Sequence, residues 1–554
     1  MRYGYGIAAA ALMSAASAGA NVPDCKYIAL GWEFNVATPA ILLDHAEAYD
    51  ATALDGIGFK LRLTRPDGTL LSSREIWTDP AWTRADVEPL DAPLRELTKH
   101  RAFRETLLAS VKSPYRRVSW YDDETWARLA NNLRQIAWLA KQGGARGFYV
   151  DPEDYKYQDQ FRREGNEPPY AELAAVARRR GREVFGAMFA EFPDPVVLGF
   201  WLFSFQGKAA ATPDGERLLA EMGDLWCPFL NGMLDVAPPG ARFVDGNEDS
   251  YHFDPLQHHF ARNAQRQSER LLTVVAPENR DKYRAQMLPG AALYMDMYTS
   301  TNPAGKYYRG PLDGTRVRRF EQDLAAATGA SGGYVWLWGE THPWVNWKPS
   351  ARQMRTVSKE TWADCVPGLD LAMRAVKNPY TLCRDRGDEL VRRYGGANLI
   401  ADAVCAGKVC ESWQDKRFRM GTFDLDRTVG EDDSSSLCAT GVGNGCFTLD
   451  FSGLRGGDYY EVAASVRGAA CLEVKWMAPV RSRAGKFDRE LNFAHVPIEG
   501  TDVAAWRRAR TFVRVPDGAV GASFVLGVHQ AEGEKTHFDN LVFRKVLDFG
   551  TIRQ

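Results

Sequence analysis

The stretch Gly147–Tyr155 (GFYVDPEDY) constrains the fold of this chain more than any other. Its short apolar run is typical of a strand buried on both faces, and the run stops at a proline flanked by carboxylates. Because side chains alternate along a strand, Asp151 and Glu153 are expected to point to the same side. Acids that end a buried strand are typical of an active site at the carboxyl edge of a parallel sheet.

A helix with clear ends is predicted immediately before this strand. Asp122 or Asp123 supplies its cap, and Gly143 with Gly144 ends it. The apolar positions between these ends fall on one helical face: Trp126, Leu129, Leu133, Ile136 and Leu139. Helix, glycine turn, buried strand and strand-end acids follow one another in the order expected of a βα-barrel.

Strand and helix patterns recur eight times in the first two thirds of the chain. The predicted strands are Lys26–Phe34, Gly56–Leu63, Thr106–Val111, Phe148–Asp151, Val196–Phe205, Ala241–Asp245, Ala292–Tyr298 and Gly333–Glu340. We therefore expect an α/β fold, a (β/α)8 TIM barrel with its active site at the carboxyl ends of the strands. The alternative, an open doubly wound sheet, usually carries a glycine-rich phosphate turn after its first strand, and Gly31-Trp32-Glu33 does not form that motif.

The pattern changes after about residue 395, where short alternating strands are separated by Gly, Asp and Ser. Such strands predict an all-β sandwich of the jelly-roll type. The predicted organisation is a signal peptide at 1–20, a catalytic barrel at 21–363, a helical linker at 364–395 and a β-sandwich at 396–548.

The first twenty residues have the features of an export signal. Arg2 gives a positive start, Ile7 to Ala16 form a short apolar core, and Ala18-Gly19-Ala20 is a cleavage pattern. Cleavage after Ala20 predicts a secreted or periplasmic protein. The rest of the sequence has no apolar run long enough to span a bilayer.

Nine cysteines fit an oxidising compartment, and their odd number leaves at least one outside any intramolecular pair. Cys405 with Cys410, and Cys438 with Cys446, are close enough in sequence to staple local loops, although sequence does not fix the pairing. C-x-x-C and H-E-x-x-H spacings are absent from the sequence. We therefore expect no metal site and no cofactor.

The charge balance excludes some classes of partner. The chain has 69 basic and 71 acidic residues, a formal net charge of -2, and no basic stripe interleaved with aromatics. This balance argues against nucleic acid or an anionic membrane as a partner. The 16 Trp and 21 Tyr are suited to stacking on sugar rings, although aromatics also fill ordinary cores.

The acids at the predicted strand ends suggest a reaction. Cleavage of a glycosidic bond needs one protonated and one ionised carboxyl group, and acids crowded into one pocket separate their pKa values. We predict that Glu153 is the general acid and that Glu248 or Asp151 is the ionised partner. The other residues predicted to contact sugar are Trp32, Glu33, Tyr155, Trp201, Asp245, Tyr251, Asp296, Trp338, Glu340 and Trp344.

Structural roles compete with these interpretations. Glu153 or Asp154 could cap a helix after the strand, and Asp245 could be a turn residue. Glu340 could belong to a structural salt bridge. Asp296 is predicted in the middle of a strand, where it would orient substrate or an arginine.

Taken together, Asp151, Glu153, the Glu248 segment and Trp336–Glu340 (WLWGE) resemble a bacterial secreted TIM-barrel glycoside hydrolase. The tail is similar to the jelly-roll carbohydrate-binding modules that often follow such barrels. The resemblance implies a hydrolase acting on a poly- or oligosaccharide. The alternative is a non-catalytic polysaccharide-binding protein with a degenerate barrel, whose acids would be held by arginines rather than facing an open cleft.

Overall fold

The computed structural model describes residues 25–35, 37–155, 159–347, 358–400, 411–414, 421–432, 435–478 and 489–552. The predicted signal peptide and the predicted pair Cys405/Cys410 lie outside these residues. The chain divides between Val376 and Lys377 into two compact units. Within the described ranges, no helix combines the length and the apolar character needed to cross a bilayer.

The first unit is an α/β structure. Its described strands are β1 (Lys26–Gly31), β2 (Gly56–Phe59), β3 (Arg62–Thr64), β4 (Leu70–Ser72), β5 (Leu107–Lys112), β6 (Gly147–Asp151), β7 (Val196–Gly199), β8 (Arg242–Asp245), β9 (Met287–Pro289), β10 (Ala291–Tyr294) and β11 (Tyr334–Gly339). Its described α-helices are α1 (Pro39–Leu43), α2 (Ala46–Asp50), α3 (Arg84–Val87), α4 (Asp91–Leu97), α5 (Asp123–Gln142), α6 (Tyr170–Glu191), α7 (Gly207–Ala210), α8 (Gly215–Met222), α9 (Trp226–Val236), α10 (His259–Glu269), α11 (Arg280–Gln286), α12 (Asp296–Thr299), α13 (Arg316–Ala330), α14 (Trp362–Cys365) and α15 (Leu369–Lys377), the last reaching the unit boundary.

Nine of these strands form one parallel sheet in the order β10-β11-β1-β2-β5-β6-β7-β8-β9. Only Gly290 separates β9 from β10, so the two segments are halves of one strand position. β9 pairs with β8, and β10 pairs with β11, which closes the sheet into a barrel. The predicted eight strands are thus eight positions, one of them split in two. The remaining pair, β3 and β4, is an antiparallel hairpin inserted after β2.

The helix predicted before β6 is present as α5. The carboxylate of Asp122 accepts the backbone N–H of Thr125 at 3.1 Å, and the helix ends at Gly143 as expected. Asp123 is the first residue of the helix rather than its cap. The predicted apolar stripe is buried along its whole length. α5 therefore fixes the direction in which the chain enters the strand that carries the acids.

Four predicted strands end several residues earlier than expected, among them the first, which ends at Gly31 and not Phe34, and the second, which ends at Phe59 and not Leu63. β7 ends at Gly199, and residues Phe203–Gln206 form a 3-10 turn instead of continuing the apolar run to Phe205. The seventh position ends at Tyr294, so Asp296 begins the helical turn α12 and does not lie in the middle of a strand. Beyond these two strand ends, Phe203, Met295 and Met297 are nonetheless buried, whereas Phe205 is 44% exposed.

The second unit is a β-sandwich with one helix, α16 (Pro379–Tyr394). Its described strands are β12 (Glu411–Gln414), β13 (Thr422–Asp426), β14 (Ser436–Thr440), β15 (Gly445–Ser452), β16 (Tyr459–Arg467), β17 (Cys471–Ala478), β18 (Arg489–Val496), β19 (Arg507–Arg514), β20 (Gly521–Val528) and β21 (Lys535–Leu547). They form two antiparallel five-stranded sheets, β12-β15-β20-β17-β18 and β13-β14-β21-β16-β19. The apolar cluster between them includes Phe447, Trp476, Phe524 and Phe538.

A disulfide between Cys438 and Cys446, left open by the sequence, is not formed. Both residues are buried thiols, and the described cysteines include no disulfide. Cys438 lies on β14 and Cys446 on β15, which belong to different sheets. The short turn between these strands carries the chain from one sheet to the other, and this crossing separates two residues that are close in sequence.

Candidate active site

Three carboxyl groups come together at the carboxyl end of the barrel strands. Asp151 ends β6, and the backbone N–H of Glu153 donates to its carboxylate at 3.1 Å. Glu248 begins a 3-10 turn, Glu248–His252, that follows β8. All three side chains are half-buried. The tight turn at Pro152 thus places the second acid of the β6 end beside the first.

The three groups are close enough to influence one another's ionisation. Burial raises the pKa of Glu248 to about 9, with further contributions from the charges of Glu153 and Asp151. Burial also raises the pKa of Glu153 to about 7, as does the charge of Asp151, while the hydroxyl of Tyr155 donates to Glu153 and opposes the rise. At neutral pH, Glu248 therefore keeps its proton and Glu153 is divided between both forms.

Two lysines that sequence reasoning missed accompany Asp151. Burial raises the pKa of Asp151, and the positive charges of Lys60 and Lys112 oppose this rise. Burial lowers the pKa of each lysine to about 8. Lys60 follows β2 and Lys112 ends β5, so the strand-end rule that identified the acids could have found them.

Among the described residues, arginine forms no close ion pair with these acids, although the charge of Arg74 favours the ionised form of Asp151. In the described part of the chain, no salt bridge within 4.0 Å involves Asp151, Glu153 or Glu248. Elsewhere in the same unit, carboxylates do pair with arginine, for example Asp323 with Arg309 at 2.7 Å. The three acids thus remain available to a ligand at the barrel mouth.

A layer of stacked rings fills the barrel next to the acids. The ring of Phe200 stacks on Tyr149 at 5.8 Å and on Trp336 at 4.5 Å between centroids. The indole N–H of Trp336 donates to the carbonyl of Gly246 at 3.1 Å. A Cβ atom at Gly246 would lie 2.6 Å from that indole nitrogen, so glycine is required for this close approach. Phe200 was not among the predicted site residues.

The loops after the strands contribute more aromatic side chains. Tyr155 is 67% exposed and Trp32 37% exposed, whereas Trp201 is half-buried and packs on Phe205 at 5.7 Å. Tyr251 is buried against Trp336 at 5.5 Å, so it forms part of the wall rather than an exposed platform.

A second run of aromatic rings leads outward from this wall. Tyr294, also missed by the sequence, packs on Tyr251 at 5.3 Å and on the exposed Tyr307 at 5.2 Å. On the last strand, the indole N–H of Trp338 donates to Glu340 at 2.9 Å. Burial raises the pKa of Glu340, whose partner is this indole rather than the cation of a salt bridge.

Glu33, which was predicted to contact sugar, takes part in a buried group of hydrogen bonds. Its side chain is buried and accepts three hydrogen bonds, from the Tyr49 hydroxyl at 2.5 Å, the Trp347 indole at 2.6 Å and the Trp344 backbone N–H at 2.9 Å. Trp344 is itself buried. Burial and these hydrogen bonds favour a structural role for both residues, and substrate binding by them stays a prediction.

Two further residues that were predicted to bind sugar accept hydrogen bonds from loops. Asp245 is fully buried and accepts the backbone N–H groups of Leu202 at 3.0 Å and Ser204 at 2.7 Å, as well as the Ser204 hydroxyl. Asp296 accepts the backbone N–H of Glu340 at 2.8 Å and the hydroxyl of Thr341. Their oxygens accept hydrogen bonds from the turns after β7 and β11, which favours a structural role for both residues; sugar contact by them stays a prediction.

Comparisons with known proteins give little similarity. No protein-family model matches the sequence, and no curated protein is significantly similar to it. The enzymatically active domain of bacteriophage CBA120 tailspike protein 4 is 14% identical over 27% of this chain and 21% of its own, with a TM-score of 0.22. The CBM22-1–GH10 modules of Clostridium thermocellum endo-1,4-beta-D-xylanase 10B are 12% identical over 28% of this chain and 29% of their own, with a TM-score of 0.20.

The family 11 carbohydrate-binding module of the Clostridium thermocellum cellulase Lic26A-Cel5E is 14% identical over 28% of this chain and 95% of its own, with a TM-score of 0.19. Similarity at this level does not define the fold or the activity of this chain. Both therefore rest on the barrel and its residues.

Proposed function

We propose that the first unit is a glycoside hydrolase that cleaves a poly- or oligosaccharide with the carboxyl groups at the barrel mouth. The observation that carries the proposal is the cluster of Asp151, Glu153 and Glu248, whose charges raise one another's pKa values and which form no salt bridge with a described arginine. Binding sugar alone does not require three half-buried acids that raise one another's pKa values. Acid–base catalysis, in contrast, needs carboxyl groups whose pKa values differ.

Glu248 is the general acid in this proposal. Its pKa of about 9 leaves it protonated at neutral pH, so it can donate a proton to the leaving oxygen of the glycosidic bond. Glu153 was the acid predicted from the sequence, because its apolar surroundings were expected to raise its pKa. The two pKa values favour the opposite assignment, because the group with the higher pKa retains its proton.

Glu153 is then the ionised partner. Its pKa of about 7 gives a substantial ionised fraction at neutral pH, and the Tyr155 hydroxyl donates to its carboxylate. In this form Glu153 acts either as a base towards water or as a nucleophile towards the sugar. Asp151 raises the pKa of both other acids by its charge, and Lys60 and Lys112 favour the ionised form of Asp151.

A product assay with the full chain tests this proposal. Wild-type protein is incubated with a panel of polysaccharides, new reducing ends are measured, and retention of the protein on the same insoluble polymers is scored in parallel. We expect one polymer class to be cut by the wild type and to be bound but not cut by Glu248→Gln. Retention without cleavage by the wild type on every polymer would favour the non-catalytic polysaccharide-binding protein instead.

A further inference from the structure

A mixed group of metal-ligand side chains lies in the first unit outside the carboxylate cluster. His342 follows β11, Glu360 precedes α14, and Cys365 is the last residue of α14. One ligand atom from each of the three lies within 4.8 Å of the others. Nitrogen, sulfur and carboxylate oxygen together are the donor set that proteins use for zinc.

The distances fit a tetrahedral ion. The Cys365 sulfur is 3.6 Å from Nε2 of His342 and 3.8 Å from Oε2 of Glu360. Zinc–sulfur bonds of about 2.3 Å and zinc–nitrogen or zinc–oxygen bonds of about 2.0–2.1 Å, at tetrahedral angles, place such ligand atoms about 3.5 Å apart. The side chains therefore already stand near the separations that one ion would impose.

The histidine is also oriented as a ligand. Its Nδ1 lies 3.1 Å from the backbone carbonyl of Glu360, so an N–H at this position donates to that oxygen. This hydrogen bond leaves Nε2, which lies 3.6 Å from the Cys365 sulfur, as the lone-pair donor; Nδ1 lies 3.4 Å from the same sulfur. Metal-binding histidines commonly hold their second nitrogen in this way, which fixes both the tautomer and the ring plane. The ring further packs edge-on against Trp362 at 4.9 Å.

A similar group in the second unit lacks this arrangement. In the group of Asp426, Cys438 and His537, Nδ1 faces Asp426 at 4.0 Å and Ser436 at 3.0 Å, while Nε2 faces Cys438 at 3.9 Å. The two ring nitrogens of His537 therefore face different partners, whereas both ring nitrogens of His342 lie within 3.6 Å of the Cys365 sulfur. The geometry therefore favours the group in the first unit.

The group in the first unit joins two parts of one loop. The backbone N–H of Ser358 donates to the carbonyl of Thr341 at 2.8 Å, and that of Trp362 donates to the carbonyl of Pro343 at 3.0 Å. His342 and Cys365 lie at the two ends of this pairing. An ion held between them would tie α14 to the described residues that follow β11, which include Trp344 and Trp347, two of the three donors to Glu33.

We propose that His342, Glu360 and Cys365 form a zinc-binding site, with the fourth position taken by water, and that the bound ion fastens the loop after β11 to α14. The site differs from the sequence-based expectation of no metal, because its ligands have none of the usual sequence spacings. An ion that binds the folded chain and not the unfolded one stabilises the fold, by an amount that grows with the logarithm of the ion's concentration divided by its dissociation constant.

Cobalt and zinc binding to the full chain test the proposal. Protein stripped by a chelator under reducing conditions is titrated with Co²⁺, and the thiolate-to-cobalt charge-transfer band is recorded; Zn²⁺ then competes for the site. We expect the band in the wild type, and its loss together with at least tenfold weaker Zn²⁺ binding in Cys365→Ser and His342→Ala. Thermal unfolding should shift upward with Zn²⁺ in the wild type but not in these variants.

Cys471→Ser is the matched control, because Cys471 lies with Glu473 and His495 in the remaining group of possible ligands. This variant should keep the band and the thermal shift. A wild type that binds Co²⁺ no better than Cys365→Ser, or a band that disappears in Cys471→Ser, overturns the proposal. If Cys365→Ser does not fold, as judged by circular dichroism, Glu360→Gln decides, because its side chain is exposed and its loss leaves the core intact.

Discussion

The carboxylate of Glu33 accepts the indole N–H of Trp347 at 2.6 Å across a sequence separation of 314 residues. This bond joins the turn after the first barrel strand to the loop after the last one. Burial raises the pKa of Glu33 to about 7, despite the three donors around it. The folded protein therefore holds a proton on Glu33 at pH values where the unfolded chain has already lost it.

The protonation of Glu33 determines whether the stability of the fold rises or falls with pH. Between about pH 4.5 and pH 7 the folded state binds more protons at Glu33 than the unfolded state, so stability falls as pH rises through this window. The loss from this one group is on the order of 3 kcal/mol. In Glu33→Gln the decrease in unfolding free energy between pH 5 and pH 8 should be smaller than in the wild type. Denaturation curves at both pH values measure this decrease, with the exposed Glu47→Gln as control. An equal decrease in all three proteins would contradict the raised pKa of Glu33.

Replacement of Glu248 tests its role as the acid. Glu248→Gln keeps the shape of the side chain but cannot supply the proton, a contribution of typically about 10²–10⁴ in rate. The loss should be large for a natural glycoside and small for an aryl glycoside whose leaving group needs no proton. Asp249→Asn, at the neighbouring exposed position, should retain most of the activity on both. Equal losses on the two substrates would assign Glu248 another role.

Replacement of Glu153 should behave differently. Glu153→Gln removes the ionised partner, so turnover of natural and activated glycosides should fall together, again by about 10²–10⁴. If Glu153 is a nucleophile, added azide should restore turnover of the activated substrate. The sequence-based assignment of Glu153 as the acid requires the reverse, with the activated substrate largely spared. Initial rates on the two substrates separate the assignments.

The pH dependence of kcat/KM reports the pair as a unit. Activity should rise through about pH 7 as Glu153 ionises and fall through about pH 9 as Glu248 loses its proton. Asp151→Asn should move both limbs to lower pH, because the charge of Asp151 raises both pKa values. Asp249→Asn should move only the alkaline limb, because the charge of Asp249 contributes to the raised pKa of Glu248. An unchanged profile in Asp151→Asn would separate this residue from the pair.

Gly246 offers a test of the ring layer beneath the acids. In Gly246→Ala the new methyl group would lie 2.5 Å from the carbonyl oxygen of Gly199 and 2.6 Å from the Trp336 indole nitrogen, so the ring must move. We expect a loss of about 1–3 kcal/mol of stability, as for other overpacked cores. Gly186→Ala in α6, where the methyl group meets no atom within 4 Å, should instead stabilise by about 0.4–1 kcal/mol. Urea denaturation of both variants compares them directly.

Much of the site follows from the order of residues. The pairing of Asp151 with Glu153 is a local consequence of a strand that stops at Pro152, and Glu248 follows its strand by three residues. The burial of Asp245, in contrast, could not be predicted from the sequence. Its burial depends on the backbone of Leu202 and Ser204, which turns back over the barrel where an apolar run predicted more strand. An apolar side chain is buried equally well by a sheet or by a loop above it, so the pattern does not choose between them.

The basic residues of the site were not predicted from the sequence. Lys60 and Lys112 were left out because only acids were considered, although both lysines lie at strand ends like the acids. Their importance comes from burial, which is a property of the whole barrel and not of the residues around them in sequence. The sequence pointed to Glu153 and not Glu248 as the group with the higher pKa for the same reason. Each pKa depends on how much water is excluded at the carboxyl ends of the barrel strands.

The closure of the barrel has a consequence during protein synthesis. β1 pairs in register with β11, with Lys26 opposite Tyr334 and Gly31 opposite Gly339. Gly31 lies so close to the Gly339 carbonyl that a side chain would not fit there. The hydrogen-bonding groups on one edge of the first strand therefore stay unpaired until the ribosome has made more than three hundred further residues. Such an edge can pair with other chains in the meantime. The sequence separation of β1 and β11 therefore sets how long this strand edge stays open during synthesis.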